Sequence, residues 1–123
     1  MAGDDIYNGF SALFLPWIGM EDFSDLDYQP YALADLEDEK WLRSELNKTF
    51  VPYLRGIDAT RRNEALKFAL FAQENPLSFS LQDIFASMLI GLRAPKDASH
   101  FFNIVLEECF PEYSRHTQGV SPK

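Results

Sequence analysis

The sequence predicts an all-α fold, a single-domain bundle of about five helices with an irregular acidic-aromatic segment near the N-terminus. Three observations carry that reading. Apolar residues recur at three- to five-residue steps through most of the chain, which places them along one side of a helix. Residues that start helices (Asp58, Ser80, Asp97) and residues that stop them (Pro16, Asn75-Pro76, Pro95, Pro111) bracket those stretches. No stretch alternates apolar and polar residues cleanly over six positions, the pattern of a half-buried strand. Residues 50–54 and 77–79 are the nearest to strand candidates.

The first helix is expected from about Asp4 to Leu15. Ile6, Tyr7, Phe10, Leu13 and Phe14 follow its spacing, Asp4 and Asp5 suit its N-terminus, and Gly9 argues against it. Residues 16–31 read as an irregular connector. Pro16, Gly19 and Pro30 punctuate it, and Asp22, Ser24, Asp25 and Asp27 are turn formers. A second helix is expected from Ala32 to about Phe50, with Glu39 and Arg43 paired one turn apart and Pro52 ending or bending it. A third, capped by Asp58, carries Ala65, Leu66, Ala69, Leu70 and Ala72 and stops at Asn75-Pro76. Ser80-Leu81-Gln82-Asp83 opens the fourth in a capping-box pattern, which runs through Met88, Leu89 and Leu92 to Gly91, Ala94 and Pro95. Asp97 caps the fifth, from Phe101 to Phe110. The polar tail, 113–123, is expected to fray.

At 123 residues, 46% of them hydrophobic and 15% aromatic, the chain has room for one domain, 1–123, and enough apolar surface for a core without disulfides. Its one cysteine, Cys109, excludes an internal disulfide. With Asp4 and Asp5 where a secretory signal carries bases, it points to a reducing, cytoplasmic compartment. The longest apolar run, Phe10 to Met20, is too short to span a bilayer.

The net charge of −8 is unevenly placed: residues 1–39 hold ten Asp and Glu and no Lys or Arg, and residues 40–123 hold nine acids and eleven bases. An acidic field favours a basic partner and disfavours direct contact with nucleic acid or an anionic membrane. Recognisable chemistry is sparse. Cys109 with His100 or His116 has the residue types of a thiol nucleophile and base, but nine positions put His100 and Cys109 on opposite faces of one helix, and a structural cysteine is the simpler reading. No CxxC, HExxH or HxxxH occurs, and Asp22, Asp25 and Asp27 lack the spacing and glycine of a calcium loop. No glycine loop for phosphate is present. The reading is therefore no catalytic residue, no metal and no cofactor. Arg61, Arg62 and Lys67 read as a solvated face beside Glu64.

What remains is the segment from Trp17 to Trp41, where acids alternate with aromatics. The expected partner-binding residues are Trp17, Glu21, Asp22, Phe23, Asp25, Asp27, Tyr28, Tyr31, Asp35, Glu37, Asp38 and Glu39. Buried aromatics supply affinity, and carboxylates steer a cationic partner. A short, acidic, cysteine-poor domain with carboxylates beside aromatics, carried here by Glu21 to Glu39, resembles the immunity proteins that neutralise nuclease toxins. That resemblance implies a non-enzymatic inhibitor of a basic bacterial toxin, its acids standing in for nucleic-acid phosphates and Trp17, Phe23, Tyr28 and Tyr31 as anchors. The alternatives are a phage- or host-encoded nucleic-acid mimic acting on a nuclease complex, a small adaptor or homodimer associating through Phe10 to Phe23, and a small enzyme.

Overall fold

Six α-helices and no strand occur among the described residues, 3–24, 29–31 and 34–113 of a computed structural model. They are α1 (Gly3–Phe14), α2 (Glu39–Glu45), α3 (Val51–Gly56), α4 (Ala59–Glu74), α5 (Leu81–Ser87) and α6 (Ala98–Cys109). A π-helical turn, Leu46–Phe50, joins α2 to α3, and short 3-10 turns stand at Met20–Asp22 and Gln29–Tyr31. The all-α class read from the sequence is the class observed. The expectations for Ala32, Leu33 and the tail from 114 onward, His116 included, lie outside the described residues; Tyr113, expected to fray, packs against the core and donates its N–H to Phe110 O at 3.1 Å.

Three of the expected caps form. The side chains of Asp58, Ser80 and Asp97 accept from the backbone N–H of Arg61 at 2.8 Å, Asp83 at 3.2 Å and His100 at 3.0 Å. Each satisfies one of the N–H groups that a helix start leaves unpaired, a contribution of about 1 kcal/mol.

Two boundaries differ from the expected ones, for local reasons. The helix anticipated from residue 32 starts at Glu39. Asp38 takes the backbone N–H of Lys40 and Trp41, and Asp35 takes that of Glu37; these side chains compete for the amides that an earlier helix would use. At its other end the chain does not stop at Pro52. The wide π turn intervenes, and Pro52 falls in the first turn of α3, where a missing N–H costs nothing.

The helix expected to run to Leu92 ends at Ser87. Leu89 adopts φ 57°, its N–H donates to Ala86 O at 3.2 Å, and Ile90 N–H donates to Phe85 O at 2.9 Å. This is the left-handed stop that glycine usually supplies. A leucine there works against its own Cβ by roughly 1–2 kcal/mol, and its side chain is 44% exposed. Leu89→Gly is accordingly expected to raise the unfolding free energy by about 0.5–1 kcal/mol, the lost apolar contact offsetting part of the relief. Urea denaturation checks it; a loss of stability would mean that the leucine side chain matters more than the strain.

The core is organised on α1. Phe10, Leu13 and Phe14 have no exposed surface. The Phe14 ring lies 4.6 Å from that of Phe10, 5.8 Å from Phe50, 6.0 Å from Phe85 and 6.2 Å from Phe101, edge-on or stacked as ring quadrupoles favour. Gly9 lets α1 close on α4: a Cβ at that position would stand 2.5 Å from Phe68 Cβ. The residue that spoke against the helix is the one that lets it pack.

A candidate partner-binding surface

Three stretches meet on one side of this core. After α1 the chain turns at Gly19 (φ 78°), whose N–H donates to Met88 O at 2.9 Å. Two residues on, Glu21 N–H donates to Leu89 O at 3.0 Å. Glu37 reaches the same 88–97 stretch from the other direction, its carboxylate accepting from Lys96 N–H at 3.0 Å. The 88–97 loop thus pins down both acidic turns, 19–22 and 35–38.

The carboxylates of these turns face solvent. Glu21, Asp22, Asp35, Glu37, Asp38 and Glu39 are all exposed. They differ in occupation. Asp35 and Asp38 hold backbone turns, Glu37 holds Lys96, and Glu39 pairs with Arg43 at 2.9 Å and with His100 at 3.3 Å. Glu21 and Asp22 make no side-chain hydrogen bond or ion pair among the described residues. Asp25, Asp27 and Tyr28 lie outside the described residues.

The aromatics of the segment point the other way, which corrects the expected role of Trp17. Its indole is fully buried, packed 4.9 Å from the Phe50 ring and 5.6 Å from Phe14, so it cannot anchor a surface partner. Its N–H donates to a Glu45 carboxylate oxygen at 3.0 Å, which also accepts from the Tyr31 hydroxyl at 2.8 Å. Glu45 is itself buried. One side chain of α2 thereby satisfies the polar ends of two aromatics and fastens the connector to the body. Burial, and then the Glu45 carboxylate beside it, push the Tyr31 hydroxyl up to about 12. Tyr31 and Phe23 are half-buried and pack against the core. Among its described residues the segment is amphipathic: Trp17, Phe23 and Tyr31 pack inward, and Glu21, Asp22, Asp35, Glu37, Asp38 and Glu39 face outward.

Sequence reasoning missed Glu45, and a lone acid among Leu42, Leu46 and Phe50 was the available signal. It also missed the partners of Arg43. Beyond the expected pair with Glu39, the guanidinium reaches Glu107 at 2.9 Å and Glu108 at 2.5 Å, across to α6. Those two carboxylates hold the Arg43 charge above its usual pKa, and Arg43 holds the Glu39 carboxyl below the usual range. Three carboxylates share one cation, so this junction keeps a negative excess. The Arg61–Glu64–Lys67 face read from the sequence contributes a different pair, Arg62 with Glu112 at 2.7 Å.

Cys109 is buried, and burial first, then Glu108 beside it, push its thiol up to about 12. A thiol held protonated in this way is a poor nucleophile, and His100 is occupied with Glu39 on the exposed side. No group of three or more His, Cys, Asp or Glu arranged to hold a metal ion occurs among the described residues. None of the described helices is long and apolar enough to cross a membrane.

Comparison of the chain with protein-family models, with curated proteins and with solved structures finds no match in any of the three.

Proposed function

We propose that this protein is a non-enzymatic inhibitor that binds a basic protein through its acidic face, most concretely as the immunity partner of a nuclease-type toxin. The observation that carries the reading is the exposure of Glu21, Asp22, Asp35, Glu37 and Asp38 on two turns hydrogen-bonded to one loop, with Glu39 exposed at the start of α2, in a stretch of 39 residues without one Lys or Arg. Turns tied down through the Gly19 and Glu21 amides and the Glu37 carboxylate place these acids before a partner arrives, so binding does not have to order the chain beneath them first. A surface of this kind occupies the phosphate-binding groove of a basic enzyme and blocks its substrate. The buried aromatics support the face from beneath, and affinity at the rim rests on half-exposed Phe23 and Tyr31 together with the acids.

The test is a pull-down from the cells that make the protein, followed by association kinetics with the captured partner. The partner should be basic, and the association rate should fall steeply as ionic strength rises from about 0.05 to 0.5 M, because screening shortens the reach of the field. Neutralising Glu21, Asp22 and Asp35 to their amides should slow association while leaving the circular dichroism and melting temperature in place. A rate indifferent to salt would overturn the electrostatic reading.

A further inference from the structure

The 88–97 loop carries a large apolar side chain where its own backbone works against one. Leu89 adopts φ 57°, the left-handed conformation that crowds a Cβ. The fold imposes it: Gly19 N–H donates to Met88 O at 2.9 Å, and Glu21 N–H donates to Leu89 O at 3.0 Å. Glycine or asparagine holds such a stop at less cost. The interior does not account for the leucine, which stands outside the buried core and is 44% exposed. Backbone strain persists where the surrounding structure over-determines it, and it clusters at binding sites.

The surroundings indicate what Leu89 meets. The bond that fixes its carbonyl sets Glu21 beside it, backbone to backbone, and Asp22 closes the same turn with its N–H on Gly19 O at 2.9 Å. Both carboxylates are exposed, and neither side chain has a hydrogen-bond or ion-pair partner among the described residues. The bases of the loop are placed elsewhere, Arg93 and Lys96 lining a hollow with Asp35 and Glu37. Leu15, 50% exposed, opens the turn that leads to Gly19, its carbonyl accepting from Ile18 N–H at 3.2 Å. An exposed leucine on a fixed backbone, with unpaired acids at its side, has the anatomy of an interface anchor and its polar rim. The complementary surface is an apolar pocket edged by Lys or Arg. Two copies of this chain meeting here would set Glu21 and Asp22 of one against those of the other, and like charges so placed repel.

We propose that Leu89 is the apolar anchor of the partner interface: its side chain enters an apolar pocket of a basic protein, and the cations around that pocket meet Glu21 and Asp22. The inference rests on the basic-partner reading above and deepens it. Leu89 sets how long the complex lasts, and the acids set how fast it forms.

Position-specific photo-crosslinking tests the contact. The full chain with a diazirine analogue of leucine at position 89 is irradiated in the cells that make the protein. The same analogue at position 77 is the control, because Leu77 is 97% exposed but joined to neither acidic turn by a hydrogen bond. Position 89 should join covalently to a basic protein, and position 77 should not. With that protein purified, Leu89→Gly should raise its dissociation rate about three- to tenfold, the loss expected when a half-exposed leucine is no longer there to bury, with the association rate unchanged. Glu21→Gln with Asp22→Asn should slow association and leave dissociation nearly in place. Since Leu89→Gly is expected to stabilise the fold, weaker binding by it does not come from unfolding. Leu89→Asn keeps a Cβ on the left-handed backbone and should match the glycine variant, which excludes a loosened loop as the cause. Crosslinks from position 89 only to a second copy or to an acidic protein, equal capture from position 77, or no crosslink at all would overturn the proposal. A basic partner whose dissociation ignores Leu89→Gly rejects the anchor and leaves the acidic-face reading standing. Dissociation that depends on Leu89, with association indifferent to salt and to Glu21 and Asp22, keeps the anchor and rejects the electrostatic reading.

Discussion

Trp17→Ala is expected to lower the unfolding free energy by about 3–5 kcal/mol, the range for removing a large buried aromatic. The indole is fully buried and fills the space between Phe14, Phe50 and Phe85, the last at 6.5 Å. Alanine leaves a cavity that fixed helices cannot close. It also removes the N–H that satisfies the buried Glu45 carboxylate at 3.0 Å, leaving Tyr31 as the donor that remains to that oxygen. A buried acceptor stripped of a donor costs a further 1–3 kcal/mol or so. Trp17→Phe separates the two effects: it retains most of the ring packing and loses the hydrogen bond, so a loss of about 1–3 kcal/mol is expected from it. Guanidinium denaturation followed by far-ultraviolet circular dichroism measures both. A fall below about 1 kcal/mol for Trp17→Ala would return Trp17 to the surface role its neighbours in sequence suggest.

That role was a fair expectation, and its failure has a physical reason. Sequence shows Trp17 between a proline and a glycine, followed by acids, which is the setting of an exposed loop. It does not show that Gly19 turns the chain back onto the end of α5, nor that Glu45 waits 28 residues away to take the indole proton. Long-range pairing of a connector with a helix is a tertiary event, and periodicity reports only what happens within one element. The same limit hid Glu107 and Glu108 from the reading of Arg43.

Local signals fared better. The Asp58, Ser80 and Asp97 caps could be read directly, because a cap is made within three residues. Asp35 and Asp38 were seen as charge and not as structure, although their capping chemistry is equally local; the apolar rhythm from Leu33 to Leu36 masked it. The early end of α5 was illegible for another reason. Leucine is a poor occupant of a left-handed stop, so no residue preference announces Leu89. The stop is enforced from outside, by Gly19 and Glu21 drawing on the carbonyls of Met88 and Leu89. The acidic face itself was legible as a charge count, and the structure sharpens its composition: among the described residues its acids lie outward and its aromatics inward.

Gly9→Ala is expected to lower the unfolding free energy by about 1–3 kcal/mol, even though alanine is the better helix former by roughly 1 kcal/mol. The two effects oppose each other, and the geometry decides between them. The added methyl would stand 2.5 Å from Phe68 Cβ, 3.2 Å from the Glu64 carbonyl oxygen and 3.3 Å from Phe68 Cγ. None of these is the loose end of a side chain; each is backbone or one or two bonds from it. Relief therefore requires α1 to move away from α4 as a unit, which opens space around Phe10 and Phe68, whose rings now meet edge to face at 5.7 Å. Close packing does not tolerate such a shift without loss on both sides of the interface. Gly56→Ala is the internal control, since a methyl there meets nothing within 4 Å and the same chemical change should be neutral or mildly stabilising. If the two variants melt alike, helix propensity governs position 9 and the close approach of α1 to α4 is not what holds the core together; if only Gly9→Ala melts early, the missing side chain at position 9 is what allows the aromatic core to form.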